Sequence, residues 1–202
     1  LPTLWEVGLT GVHDFDRRDC FAALQLLHAA GELKLRVLKS IPLDDLPLAV
    51  GLGLRTGFGD DTLRIGPVKA FMDGALGPQT AAMLEPFDGS DDRGLLLMDA
   101  AQLLEHARLA AENGLSMAVH AIGDRANRET LDLYEATFAA HPGKRDWRWR
   151  IEHAQHLDPA DIPRFAKLGV IAAMQGIHAT SDAPFVEPRL GAARTKAGAY
   201  PW

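Results

Sequence analysis

A single cysteine, Cys20, stands in 202 residues. No disulfide can therefore form within the chain, and a lone thiol fits a reducing, cytoplasmic setting. No apolar run reaches the roughly 20 residues that span a bilayer. No charged leader precedes an apolar stretch at the start, so neither a membrane segment nor a signal peptide is expected. Basic charge is scarce as well: 21 Lys and Arg face 27 Asp and Glu, for a net charge of −6. No basic cluster interleaved with aromatics occurs, so nucleic acid and anionic membranes lack an electrostatic partner here. G-x-G-x-x-G and G-x-x-x-x-G-K-[ST] are both missing, which counts against dinucleotide- and nucleotide-binding sheets.

What the chain does have is apolar content, 47%, enough for one large domain with a sizeable core. Six short segments rich in β-formers recur at 7–15, 33–40, 63–73, 115–121, 147–154 and 169–176. Helical stretches separate them. The clearest, 99–114, has Asp99 as N-cap, Leu103, Leu104 and Ala107 at helical spacing, and an Asn113-Gly114 stop. Another runs over 124–143, with Asp124 as cap and Pro142-Gly143 as terminator. Further ones are read at 158–169, 19–30 and 44–55. Strand–helix alternation of this kind predicts a parallel sheet with right-handed crossovers, either an open doubly wound sheet or a (β/α)₈ barrel. The connection 74–98 is long and irregular, the usual signature of a lid or binding loop. Both ends of the sequence read as cut, so residues 1–202 are expected to be part of one barrel domain of a longer protein.

Three polar residues fall where strands end. Lys69 lies in "PVKAFMDG", His120 in "AVHAIGD" and His153 in "IEHAQH". Helices follow each, which predicts that the side chains gather on the rim where α/β barrels hold their active sites. His120 and His153 are 33 residues apart, one βα unit. Two imidazoles from neighbouring parallel strands can converge on one ion. The plainer reading is a core histidine bonded to a backbone carbonyl, and for Lys69 an ion-paired surface lysine. Asp73 can equally do no more than open a turn with Gly74. His28, His106 and His141 fall on helix faces or ends and are expected to be solvated.

The segments "VKAFMDGALGPQTAAM", "MAVHAIGDRANRETLDLYE", "RWRIEHAQHLDPADIPRFAKLGVIAAMQGIHATSD" and "RLGAARTKAGAYPW" closely resemble the YtcJ-like branch of the amidohydrolase superfamily, which includes N-substituted formamide deformylase. The resemblance covers nearly all of the chain from residue 7. It implies a (β/α)₈ barrel, incomplete here, with about strands two to seven present. It also implies a metal-dependent hydrolase of non-peptide C–N bonds (amide, formamide or cyclic amide). Ester hydrolysis, deamination or a truncated non-catalytic remnant are the alternatives.

By the same resemblance Lys69, His120 and His153 are metal ligands, with Lys69 open to carboxylation and one or two divalent ions, zinc foremost, in the full-length protein. Asp73, Thr80, Gln175 and His178 are pocket candidates for a small-molecule substrate. The catalytic general base, a strand-eight aspartate, is expected beyond Trp202; Asp182, in "TSDAPF", is not assigned that role. Where the family reads Asp-Gly-Ser-Leu-Gly-Ser-Arg-Thr-Ala, this chain has "DGALGPQTA", which removes a hydroxyl and a cation. The family's first ligand pair is a His-x-His, which this sequence lacks; with it and the final aspartate missing, the isolated chain is expected to bind metal weakly, to hydrolyse little and to self-associate through exposed sheet edges.

Overall fold

The computed structural model describes residues 2–201, which group into two compact units. The first comprises the chain up to Lys69 together with Leu109–Met117. It holds α1 (Pro2–Glu6), β1 (Gly11–Asp14), α2 (Arg18–Ala29), β2 (Arg36–Pro42), a 3₁₀ turn at Leu43–Asp45, α3 (Leu46–Gly51) and most of β3 (Leu63–Phe71). β1 pairs with β2 in parallel, Gly11 opposite Arg36, and β2 pairs with β3 in parallel, with a register shift between Lys39 and Ile41. Val37, Ile65 and Val68 are buried, as the continuous apolar runs predict for strands covered on both faces. Leu115 and Met117 are fully buried too. Ser116 fastens this piece: its N–H donates to Thr56 Oγ1 at 2.9 Å and its carbonyl accepts from Val68 N–H at 2.8 Å.

The second unit comprises Ala70–Arg108 and the chain from Ala118 onward. It contains most of α4 (Ala100–Glu112) and of β4 (Met117–Ala121), then α5 (Asp124–Ala139), β5 (Arg150–His153), α6 (Ile162–Leu168), β6 (Ile171–Ala173), α7 (Ile177–Ser181) and α8 (Ala183–Gly198). β4, β5 and β6 are parallel, with Ala121 opposite His153 and Ile151 opposite Ala172. Within each unit the strand order follows the chain, β1-β2-β3 in the first and β4-β5-β6 in the second. Asp99 caps α4 through Ala101 N–H, and Gly169 ends α6 in the left-handed conformation, φ 68°.

Two expectations need correcting, and one helical stretch has no counterpart in the sequence reading. Asp124 is not the cap of α5. Gly123 holds that position, and the Asp124 carboxylate accepts from Leu84 N–H and Arg125 N–H. Residues 177–198 are helical, although Pro184, Pro188 and Gly191 mask the pattern. Pro184 sits in the first turn, where its missing N–H costs nothing, and Gly191 (φ 74°) kinks the element. The connection 74–98 is irregular but is no loose lid. Leu76, Ala81, Met83 and Phe87 are at most 1% exposed and pack with Ile122, Val186 and Leu190. Arg194 of α8 donates to the carbonyls of Glu85 and Pro86, and Asp88 N–H donates to Arg189 O. None of the described helices is long and apolar enough to cross a membrane.

Candidate metal centre

His120 is the fourth residue of β4 and His153 the last of β5. Their ring centroids lie 4.6 Å apart, edge to face. His120 Nε2 is 2.8 Å from the carbonyl oxygen of Gly74. A carbonyl only accepts, so Nε2 carries the proton and Nδ1 the ring's lone pair. His153 Nδ1 is 2.7 Å from Gln175 Oε1, and Gln175 Nε2 donates to Ala173 O at 2.7 Å. That second bond fixes which way the amide faces, so His153 Nδ1 is the donor and Nε2 carries the lone pair. Each ring is thus held by one nitrogen through a protein acceptor, the arrangement that orients metal-binding histidines and sets their tautomers. Paired imidazoles are a donor set that a divalent ion accepts.

His178 adds a third imidazole, 5.4 Å from His153 between centroids, and Phe71 lies 5.3 Å from His120. Four of the residues singled out in the sequence, His120, His153, Gln175 and His178, therefore meet in this unit. Asp73 and Thr80 serve the backbone around them. The Asp73 carboxylate is 1% exposed and accepts N–H bonds from Ala82, Ile122 and Gly123 at 2.8–2.9 Å. Burial lifts this carboxyl to about 7, against the downward pull of those three donors. Thr80 Oγ1 accepts from Ala75 N–H, and its carbonyl accepts from Gly74 N–H. A Cβ on Gly74 would stand 2.1 Å from Thr80 Oγ1, so that turn requires glycine.

Lys69 belongs to the first unit, at the end of β3. It is 6% exposed, with its ammonium 5.1 Å from the Phe15 ring centroid. Sequence reasoning missed Lys39, the other buried lysine of this unit. Its Nζ pairs with Asp14 Oδ1 at 2.6 Å and with the backbone carbonyl of Asp16. Asp14, Asp16 and Cys20 bring ligand atoms within 4.8 Å of one another, the sole such trio of His, Cys, Asp and Glu among the described residues. The Lys39 ammonium already supplies that cluster's positive charge. Burial, aided by Asp14, keeps the Cys20 thiol above its usual value, so it is a poor ligand.

A second feature escaped the sequence. His153 and Ala154 both adopt left-handed backbone, φ 76° and 42°. For residues other than glycine this costs on the order of 1–3 kcal/mol apiece and persists only where neighbours enforce it. No residue type in "EHAQH" signals it.

Consecutive parallel βα units with imidazoles at the carboxyl ends of two adjacent strands define an incomplete (β/α)₈-type fold. The chain belongs to the amidohydrolase family, whose model matches residues 1–202. It is 44% identical over 139 residues to LONG AFTER FAR-RED 3 of Arabidopsis thaliana, covering 68% of this chain and 24% of that protein. To YtcJ of Bacillus subtilis (strain 168), named provisionally as an amidohydrolase, it is 38% identical over 141 residues, covering 69% of this chain and 26% of the other. A crystal structure titled as an uncharacterized metal-dependent hydrolase from Pyrococcus furiosus superposes with a TM-score of 0.87 at 31% identity, over 98% of this chain and 40% of that one. The aligned region is about a quarter of the length of those two curated relatives.

Proposed function

We propose that His120 and His153 hold a divalent metal ion, zinc foremost, and that the protein to which this chain belongs hydrolyses a non-peptide C–N bond in a small molecule: an amide, formamide or cyclic amide. What supports the reading is the complementary pair of tautomers, His120 protonated at Nε2 and His153 at Nδ1, on rings 4.6 Å apart. A bound divalent ion supplies acidified water and polarises a carbonyl. Gly74 O and Gln175 keep the rings turned for binding, Asp73 holds the turn that carries Gly74, and the His178 and Phe71 rings stand beside the pair. Lys69, buried in its own unit, is proposed to accept CO₂ and become an anionic oxygen ligand. A mass increase of one CO₂, lost in Lys69→Met, tests that role separately.

The decisive experiment titrates zinc into the metal-free chain and then screens amide, formamide and ester substrates on the full-length parent. Weak zinc binding that is lost in His120→Ala and His153→Ala, with amide or formamide turnover by the parent, supports the reading. Unchanged binding in both variants refutes the ligand assignment and leaves the histidines as structural residues. Ester turnover alone refutes the C–N assignment. The 202-residue chain is expected to bind zinc weakly by itself, because catalytic zinc usually takes three protein ligands and this pair supplies two.

A further inference from the structure

Gln155 lies two residues beyond His153, is 2% exposed and is fastened on every side. Its carbonyl accepts from Tyr200 N–H at 2.8 Å. Its Nε2 donates to Asp182 Oδ2 at 2.7 Å and lies 3.1 Å from Tyr200 Oη, while Tyr200 O–H donates to the same Asp182 oxygen at 2.8 Å. The next two residues are tied as well, His156 N–H to Ile122 O and Leu157 N–H to Gly198 O. Gln155 Oε1 is buried with no hydrogen-bond partner in the protein. An apolar residue would avoid that orphan, and orphaned atoms beside strained backbone mark places where the fold accepts cost for geometry.

Between this anchorage and β5 stand the two left-handed residues, His153 and Ala154. Without the anchorage their backbone would relax to the ordinary β or α regions, and a φ change at His153 swings its ring away from His120 and Gln175. We propose that Gln155, fixed by Asp182 and Tyr200, is a positioning residue that locks the left-handed His153–Ala154 pair and so aims the His153 imidazole at its partner. The metal consequence rests on reading His153 as a ligand. The clamp itself does not.

The test reads the His153 ring nitrogens by two-bond ¹H–¹⁵N correlation in the metal-free chain, beside zinc affinity. In the unsubstituted protein His153 should give the pattern of one Nδ1–H tautomer. Gln155→Leu and Asp182→Leu should average that pattern and weaken zinc binding about 10–100-fold, as loss of ligand-orienting partners typically does. Asp182→Asn keeps an acceptor for both donors and should restore the tautomer and the affinity. The His28 and His106 rings, held by Asp60 and by the Gln102 carbonyl, should not move in any variant. A folded Gln155→Leu protein with an unchanged His153 pattern overturns the clamp. If that variant does not fold, Tyr200→Phe decides: a shifted His153 pattern supports the clamp and an unchanged one overturns it. A wild-type chain that shows the single tautomer and binds no zinc refutes the metal reading, and the clamp is still judged on the ring signal.

Discussion

His156 is 2% exposed, beside Gln155 and Tyr200, and burial lowers its imidazole to about 4 although the Asp182 charge opposes the shift. Asp73 is displaced the other way, to about 7. A depressed histidine contributes stability that is present above its ordinary 6.5 and lost as pH falls toward 4. A raised carboxyl contributes stability that is present below 3.8 and lost as pH rises through 7. Between pH 4 and 6.5 the two slopes oppose each other. His156→Gln should unmask Asp73, so that stability from urea melts falls with rising pH across this window by up to about 1.4 kcal/mol per unit. A flat profile in that variant would show that Asp73 does not titrate there. Asp73→Ala should cost upwards of about 3 kcal/mol, because three buried N–H groups lose their acceptor. At this scale the sequence was readable where a polar side chain interrupts an apolar strand: His120, His153 and Lys69 announce themselves. Gln155 and Lys39 do not, because their roles depend on Asp182, Tyr200 and Asp14, partners that only the tertiary fold supplies.

All six strands were legible as apolar β-forming segments bounded by turn residues, a few residues longer in the pattern than in the fold. α4, with its Asp99 cap, and α6, with its Gly169 stop, were legible for the same reason. α8 was not, since two prolines and a kinking glycine break its periodicity and its register is held by contacts with 84–88 instead. The segment 74–98 looked like a lid or binding loop because it has no periodicity, and its apolar residues fill a core. A Cβ on Gly123 would stand 2.0 Å from the backbone carbonyl of Ala82. Gly123→Ala should therefore push this segment off the β4–α5 turn and cost about 3 kcal/mol or more, within the range reserved for core disruption. Arg194→Leu should act more locally, exposing the Glu85 and Pro86 carbonyls and opening the chain near them to limited proteolysis. Equal cleavage of wild type and variant would count against that role.

Among the described residues β1 and β6 each have a hydrogen-bonded neighbour on one side only, and Ile171 on β6 is 46% exposed. Open edges of this kind invite pairing with a second chain. The isolated chain should associate with rising concentration in sedimentation runs, and Ile171→Lys should reduce the association; a wild-type monomer at high concentration would argue otherwise. The bonds from Arg194 to residues 85 and 86 close spans of 109 and 108 residues, and this has a consequence for the order of events in time. During synthesis the segment 74–98 leaves the ribosome long before α8 exists, so its apolar side chains must wait without their partners. Contacts so distant along the chain form late, after the local βα units. In pulse-labelling hydrogen exchange the amide of Asp88, which is bonded to Arg189, should therefore gain protection after those of β4, and a nascent chain halted before residue 183 should remain open to protease throughout this segment.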